Sequence, residues 1–365
     1  MKRILIMAYK IYLMLRWKLT LTSAGFLAEN FIGDYREKLL SHAEIFSIHR
    51  KGFCASDWCI LGLNKENYKD YLSDVDYYRM HPINGKYSSW IDDKLTLKYL
   101  CAGTPLDKYM PEYYYQINAE GRILCLMDAP VIKNSCTVED IAELLQQKGV
   151  LAIKLIAGAI GAGFYKSEFK NGAYFLNGKE MSLSEFCSAM GKLRNYIIIE
   201  YLYPHEMLAK YCPSTVNCIR YLMGRVNGQT EMLKGFIRFG TKKSGFVENY
   251  NAGGVLCYLD ENGKFEKGNI ISEDRRHNCV VDVHPDTSAL LQGEIPLWDE
   301  VVCACEAFSI HFPQLKYLGM DFVITDDNRV KVLEINSLTS LDSIQLDTPV
   351  WKTKLAEFYR QLMKQ

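Results

Sequence analysis

Three oxygen-bearing side chains fall on two neighbouring apolar segments near the carboxyl end of the chain. Asp321 lies in the segment GMDFVIT, and Glu334 and Asn336 lie in VKVLEIN. The polar turn at 326–328 predicts a β-hairpin, which would bring the three side chains to one face, since residues two apart on a strand share a face. Two carboxylates and an amide oxygen on an apolar hairpin predict a Mg²⁺ site. The alternative is a hairpin face in contact with water.

A lysine and a glycine-rich loop form a second group. Lys154 lies in the apolar segment 150–155, and Gly158, Gly161 and Gly163 follow it. This pattern suits phosphate binding, because bare amide groups can approach the oxygens and the ammonium group supplies charge. The spacing is not that of a P-loop, since no Gly-Lys-Ser/Thr follows. An ordinary flexible hairpin is the alternative interpretation.

A third group follows a strongly β-branched segment at 196–200. The sequence EYLYPHE runs from Glu200 to Glu206 and offers a backbone edge at the end of the segment, with a second acid six residues later. An exposed backbone edge and a nearby acid are features that can hold an adenine and a ribose. We therefore expect a nucleotide site in which all three groups take part.

The elements that must position these groups are predicted from periodicity and turn residues. Helices are expected from a cap at Asp92 or Asp93 to the stop at Gly103, after the capping-box pattern at Thr137, and over 301–311. Strands are expected at 150–155 and 196–202, and hairpins around the Asn-Gly pairs at 177–178, 227–228 and 262–263. Helices and antiparallel strands in separate blocks indicate an α+β class.

Composition narrows the classes of function. A chain of 365 residues should form two or three lobes, and 48% hydrophobic residues exclude a disordered protein. The 43 basic and 43 acidic residues balance, so we expect no nucleic-acid partner. Twelve cysteines without a C-x-x-C pair predict reduced thiols and no metal or redox centre.

The first twenty residues predict a basic amphipathic helix. Five Lys or Arg residues occur there, and no acid precedes Glu29. The apolar runs are too short to span a bilayer, and Lys10 interrupts the pattern of a signal peptide. The helix either lies on an anionic membrane face or packs its apolar stripe into the fold. We expect a cytoplasmic protein. The basic helix adds an alternative, in which residues 1–20 also contact the inner membrane face peripherally.

In this order, the three groups resemble the ATP-grasp superfamily, over about Lys94 to Gln345. The resemblance implies two α/β lobes with antiparallel sheets that clasp ATP, at 91–201 and 202–365, beside an N-terminal lobe at 1–90. It implies ATP and Mg²⁺ as cofactors, with Asp321, Glu334 and Asn336 as metal ligands. The residues that it assigns to the nucleotide are Lys94, Lys154, Gly158, Gly161, Gly163, Glu200, Tyr201, Leu202, His205, Glu206 and Asn249. Among these, the backbone of Tyr201 and Leu202 would meet adenine, and His205 or Glu206 would meet ribose.

Finer motifs resemble the sugar-transfer-associated branch, which is found with polysaccharide biosynthesis. They are PSTVNCIRYL with Asn217 and Arg220, GFIRFG with Arg238, ENYNAGG with Asn249, and HPDT with His284. The resemblance implies a carboxylate–amine ligase that works through an acyl phosphate, with Lys154, Arg220 and Arg238 as catalytic residues. Its substrates would be an amine or amino acid and a sugar carboxylate of a surface polysaccharide, of the capsule, O-antigen or teichuronic type, or of its precursor. Each arginine has a second interpretation as a surface residue of a sheet.

Departures from the family pattern leave other functions open. After Asn336 the chain reads SLTSLD, where many relatives have a Pro-Gly turn, and the first ninety residues match no pattern that we identify. The alternatives are an ATP-grasp ligase acting on a peptide or protein tail, a kinase, and a non-catalytic module that binds nucleotide or membrane. The sequence gives no expectation for the oligomeric state.

Overall fold

The computed structural model describes residues 2–158, 163–245 and 247–364, with side chains from residue 6 onward. This part of the chain is about 37% helix and 25% strand. All its paired strands run antiparallel. The α+β class with antiparallel sheets is therefore confirmed.

The amino-terminal part of the chain is helical. Its helices are α1 (Lys2–Trp17), α2 (Leu21–Glu37), α3 (His42–His49), α4 (Ala55–Ile60) and α5 (Asp74–Met80). Leu13 of α1 packs with Leu27 and Phe31 of α2 in a small core of their own. In the described ranges, no helix combines the length and the apolar character that crossing a bilayer requires.

The first sheet lies between residues 113 and 200. It has seven strands in the order β2-β1-β7-β3-β4-β5-β6. These are β1 (Tyr113–Ile117), β2 (Ile123–Cys125), β3 (Val150–Leu155), β4 (Tyr165–Lys170), β5 (Ala173–Leu176), β6 (Lys179–Met181) and β7 (Tyr196–Glu200), accompanied by the helices α6 (Ser89–Asp92), α7 (Lys94–Cys101), α8 (Val138–Lys148) and α9 (Leu183–Gly191). A capping box at Thr137 starts α8, and the side chain of Asp93 caps α7.

The second sheet also has seven strands, in the order β13-β12-β10-β9-β8-β15-β16. They are β8 (Ile219–Val226), β9 (Gln229–Phe239), β10 (Val255–Leu259), β12 (Gly268–Ile271), β13 (Asn278–Val281), β15 (Tyr317–Ile324) and β16 (Val330–Asn336). A separate ribbon pairs β11 (Lys264–Glu266) with β14 (Gln292–Glu294), and the helices of this part are α10 (Glu206–Ala209), α11 (Trp298–His311), α12 (Leu341–Gln345) and α13 (Leu355–Met363).

Two amide side chains fix the N-terminal helices to the second sheet. Asn84 accepts from the amide of Tyr317 at 3.0 Å and donates to its carbonyl at 2.7 Å. Gln345 makes the same two bonds with the backbone of Leu72, both at 3.0 Å. All four groups are buried, so each bond satisfies a polar atom that would be costly to leave unpaired.

The carboxyl-terminal hairpin forms as the sequence predicts, with one added feature. Asp321 lies opposite Glu334, and Phe322 lies opposite Val332, so Leu333 is the extra residue of a β-bulge. Bulges bend a strand and re-aim its side chains. Here the bulge lies immediately before Glu334, where the strand faces the cavity described below.

Most of the predicted elements are confirmed, including the helices after Asp93 and Thr137 and the turns at 177–178 and 227–228. The expectation of a hairpin around 262–263 is wrong. After that turn, β11 pairs with β14, while β10 pairs with β9 and β12. The turn does form, but a short, local Asn-Gly signal does not specify which strand the following segment joins.

The predicted segment boundaries at residues 90 and 201 stay predictions. The two sheets occupy residues 113–200 and 219–336, on either side of the second boundary. However, Ile91 and Leu97 pack in the core of the second sheet, although they precede the strands of the first. The helices that begin this middle segment thus contribute to both parts of the structure.

A buried histidine makes stability depend on pH. Nδ1 of His81 lies 2.7 Å from the carbonyl oxygen of Tyr77 and donates to it, and burial lowers the pKa of His81 to about 4. The unfolded chain binds this proton near pH 6.5, so stability falls as the pH drops from 6.5 towards 4. Between pH 7 and pH 5 the loss is about 2 kcal/mol. Between pH 7 and pH 5, the unfolding free energy of His81→Asn, measured in urea, should fall by about 2 kcal/mol less than that of the unaltered protein.

The matched control is His277→Asn, whose imidazole is exposed. Its unfolding free energy should follow the same pH dependence as that of the unaltered protein. If His81→Asn follows that dependence too, the buried imidazole does not remain neutral as described.

Candidate functional site

A cavity of about 370 Å³ lies between the two sheets. Strands of both sheets, the start of α7 and the segment 247–251 line it. Twelve of the sixteen predicted site residues are among its lining residues: Lys94, Lys154, Gly158, Glu200, Tyr201, Leu202, Arg220, Arg238, Asn249, Asp321, Glu334 and Asn336. Residues separated by more than two hundred positions therefore meet where the sequence predicts a nucleotide.

Two arginines converge on Asp321 in this cavity. Arg220 lies opposite Asp321 on β8 and binds both its carboxylate oxygens, Nη2 lying 2.7 Å from Oδ2. Nη2 of Arg238, from β9, lies 3.0 Å from the same Oδ2. Burial alone would raise the pKa of Asp321, but the two guanidinium charges lower it to about 2. The carboxylate thus holds two cations at the cavity wall.

Glu334 and Asn336 form the other half of the predicted metal site. Nδ2 of Asn336 lies 3.3 Å from Oε1 of Glu334, as expected for residues two apart on one strand face. Oε2 of Glu334 lies 2.8 Å from Nζ of Lys94. The same ammonium group donates to the carbonyl of Gly158 at 2.9 Å. Lys94 therefore ties the hairpin to the first glycine of the loop.

Lys154 is a half-buried cation on β3. Its Nζ lies 5.9 Å from the ring centre of Phe164, and within the described residues it forms no ion pair. Burial, together with the charge of Lys94, lowers the pKa of Lys154, while Glu334 opposes this shift. A half-buried ammonium group that faces a cavity without a paired carboxylate favours an anionic ligand there.

The sequence analysis missed Glu248. Its carboxylate lines the cavity and lies 4.0 Å from Nη2 of Arg238. Burial raises the pKa of Glu248, Arg238 opposes that shift, and Asp321 adds to it. The motif ENYNAGG contains this acid directly before Asn249, but nothing local distinguishes it from a solvent-exposed loop residue.

The segment after β7 forms another wall. Tyr201 and Leu202 line the cavity as the chain passes from the first sheet to the second. Glu200, at the end of the strand, accepts from Nη2 of Arg329 at 2.8 Å and from the amide of Glu112 at 3.1 Å. These contacts hold the segment at the cavity edge.

Three described residues of the predicted set are not among the lining residues. His205 caps α10, its ring bonded to the amide of Met207 and to Asn328, and Glu206 is exposed, so neither side chain lines the cavity that the described residues form. The ribose contact expected of one of them stays a prediction. Gly163 has a φ of +70° and packs on Tyr196 instead of lining the cavity. Gly161 lies outside the described residues.

The loop that replaces the expected Pro-Gly turn is held by the N-terminal part of the chain. Asp92 accepts from the amide of Ser337 at 2.8 Å and from its hydroxyl at 2.5 Å. The hydroxyl of Tyr77 binds both the carbonyl and the amide of Thr339. Nη1 of Arg220 lies 3.3 Å from the hydroxyl of Thr339, so the loop also contacts the cluster on Asp321.

The donor set fits a magnesium nucleotide. Lys94, Lys154, Arg220 and Arg238 supply four cations for phosphate oxygens around one cavity. Glu334 and Asn336 offer the oxygen ligands that Mg²⁺ prefers. Asp321 is committed to two arginines, so it becomes a metal ligand only if they move to another anion. The described residues contain no cluster of three or more His, Cys, Asp or Glu side chains arranged to hold a metal ion.

Comparison with protein families identifies the class. Residues 75–357, well over half of the chain, match the family model described as "Sugar-transfer associated ATP-grasp". The protein is therefore an ATP-grasp protein. Within that class, the chain belongs to the sugar-transfer associated ATP-grasp family. A sequence search among the curated proteins gives no match.

Solved structures of ATP-grasp proteins resemble the chain distantly. D-alanyl-alanine synthetase A from Vibrio cholerae is 11% identical (TM-score 0.42), covering 75% of this chain and 61% of its own. N5-carboxyaminoimidazole synthetase from Staphylococcus aureus, complexed with ADP, is 12% identical (TM-score 0.40), and the match covers 75% of this chain and 53% of that one. D-alanine–D-alanine ligase from Bacillus anthracis is 13% identical (TM-score 0.38), and the match covers 76% of this chain and 66% of that one. The chain thus spans less than two thirds of the length of the first two.

Lys154 gives a direct test of the cavity. In Lys154→Met, the dissociation constant of a fluorescent ATP analogue with Mg²⁺ should rise at least about tenfold, because an unpaired cation facing the phosphates is lost. Lys170→Met, at an exposed position of the same sheet, should bind as the unaltered protein does. Equal affinity in the two variants would mean that the nucleotide does not contact Lys154.

Proposed function

We propose that the protein is an ATP-dependent ligase that joins a carboxylate to an amine through an acyl phosphate. The observation that supports this most strongly is the cavity in which Lys94, Lys154, Arg220 and Arg238 face Glu334 and Asn336. Four cations beside a pair of oxygen ligands suit a transferring phosphoryl group, whose charge must be neutralised while water is excluded.

The reaction has two steps. A carboxylate oxygen of the substrate bonds to the γ-phosphorus of ATP, and ADP leaves. The amine nitrogen then bonds to the acyl carbon, inorganic phosphate leaves, and the nitrogen gives up a proton. Bound Mg²⁺ would neutralise charge on the phosphates.

The cavity residues orient and stabilise these groups. Lys94 at the start of α7 and Lys154 on β3 would hold phosphate oxygens as charge-assisted donors. Arg220 and Arg238, fixed by Asp321, face the transferring group from the second sheet. The backbone of the segment containing Tyr201 and Leu202 is positioned to receive the adenine.

A second cavity, of about 400 Å³, supports an amine as the other substrate. It shares Leu338, Thr339 and Ser340 with the nucleotide cavity. Its lining contains an acidic set and one basic residue, Arg275; the acidic set is Glu29, Asp34, Glu37, Asp57, Asp74 and Asp342. Such a lining favours a cationic substrate over a second anion.

Within this set, two neighbouring carboxyl groups have raised pKa values. Burial raises the pKa of Asp57, and the neighbouring charge of Asp74 adds to the rise; burial also raises the pKa of Asp74, to about 6. When no cation is bound, protons on these two carboxyl groups would neutralise their charge. An ammonium group of the substrate can replace them, and the same carboxylates can take up the proton that the amine loses.

The family description supports a carbohydrate as the carboxylate substrate. We propose a sugar acid of a surface polysaccharide or of its precursor, modified in the cytoplasm where ATP is supplied. The protein is incubated with Mg·ATP, pooled uronic acids, nucleotide sugars and amines. Mass spectrometry should detect a product whose mass is the sum of its two substrates less one water molecule. Phosphorylated hydroxyl products without phosphate release would instead indicate a kinase.

Glu334 is the residue whose loss tests the chemistry. Glu334→Gln should lower kcat about 10³-fold, a cost of roughly 4 kcal/mol, because it removes the carboxylate that pairs with Lys94 and that would bind the metal. Phosphate release under saturating ATP is the measurement. Glu294→Gln, on the exposed ribbon, is the control and should keep full turnover. Near-normal turnover in Glu334→Gln contradicts the metal assignment.

Asp57 tests the amine site separately. Asp57→Asn should raise the KM for the amine about tenfold and leave the KM for ATP unchanged, because the substitution removes, from the second cavity only, a carboxyl group that would ionise beside the bound ammonium group. The exposed Asp282→Asn serves as the control. A parallel rise in both KM values would show that the second cavity does not select the amine.

A further inference from the structure

The first helix has two apolar faces, and only one packs into the fold. On the inner side, Leu13 is fully buried and Tyr9, Met14 and Trp17 pack around it. On the outer side, Met7, Ile11 and Leu15 are spaced four residues apart and are 55%, 51% and 79% exposed. Residues with this spacing form one stripe along a helix. We call this stripe, together with the adjacent Tyr12 (46% exposed), the outer stripe of α1.

The exposed apolar surface continues into the next helix. Leu21 is 60% exposed and Phe26 is 55% exposed, although the opposite side of α2 is buried. Single exposed apolar residues are ordinary, but a row of them on consecutive turns of a helix marks an interaction surface.

The charges around the outer stripe have one sign. Lys10, Arg16 and Lys18 lie in or directly after α1, and the sequence adds Lys2 and Arg3. No acidic residue precedes Glu29. Because the chain as a whole is neutral, these five cations are balanced by an excess of five acids in the rest of the protein. The positive charge is therefore local to this helix.

The geometry points to an anionic lipid bilayer as the partner of this surface, with α1 lying in the plane of the membrane and its outer stripe inserted at the headgroup level. Basic residues flanking an apolar stripe are complementary to anionic headgroups above acyl chains. A second copy of the chain fits less well, because a symmetric contact through α1 would bring two sets of cations together.

Docking of this kind has a consequence for the site. The helix packed beneath α1 is α2, and its residues Glu29, Asp34 and Glu37 line the acidic cavity. Membrane-bound α1 would thus hold that cavity within one helix diameter or so of the lipid surface, where a lipid-linked substrate is presented.

Flotation of the full chain with vesicles tests the proposal. Vesicles of phosphatidylglycerol and phosphatidylcholine should bind the protein, and phosphatidylcholine alone should bind it at least about tenfold less. Binding should weaken as salt is raised from about 0.05 M to about 0.5 M. Equal binding to both vesicle types, or no binding to either, overturns the proposal.

Two double variants separate the contributions. Ile11→Ser with Leu15→Ser removes the apolar contact, and Arg16→Gln with Lys18→Gln removes charge; each should lower the bound fraction about tenfold. The control is Ile310→Ser on α11, which is 79% exposed, as Leu15 is, and should bind normally. Unchanged binding in either double variant counts against the assigned surface.

Sedimentation velocity tests the alternative that a second copy of the chain packs on the outer stripe. The unaltered protein and the Ile11→Ser, Leu15→Ser variant should have the same oligomeric state. If the unaltered protein self-associates through this face and the variant does not, the outer stripe is an interface between copies and the proposal fails. ATP-dependent turnover on water-soluble substrates is measured in parallel and should be equal in both, so failure of the proposed function would be seen separately.

Discussion

The cluster of Arg220, Arg238 and Asp321 is the interaction on which the candidate site depends. Two guanidinium groups are brought to a buried cavity wall by adjacent strands, and such charges are stable there only with a compensating anion. Asp321 supplies that anion from β15, the strand that pairs with β8 in the same sheet. The cluster keeps both arginines oriented towards the cavity without a ligand, so phosphate oxygens would meet cations that are already in position.

The rest of the molecule supplies the opposite wall and the boundaries of the cavity. Lys154 extends from the first sheet, and Lys94 connects the hairpin with the glycine loop. Helices α6 and α5 fix the segment after Asn336 through Asp92 and Tyr77, respectively. These contacts place the cavity lined by four cations and four acids beside a second cavity lined mostly by acids.

Local patterns predicted most of the fold and of the site, because periodicity, caps and turn residues act over a few positions. The hairpin carrying Asp321 and Glu334 is such a case. Features set by distant contacts were not predictable: the bulge at Leu333, the ion pairs to Asp321, and the inclusion of Glu248. His205 is not among the lining residues of the cavity for the same reason, since its imidazole is directed by bonds to Met207 and Asn328.

A crystal structure with Mg²⁺ and a non-hydrolysable ATP analogue would test the central claim most directly. The account predicts a triphosphate in the cavity between the sheets, with oxygens within hydrogen-bonding distance of Lys154 and of at least one of the two arginines. It also predicts a metal ion bound by Glu334 and Asn336. A nucleotide bound elsewhere, or arginines still bound to Asp321 with no phosphate near them and no metal at Glu334, would contradict it.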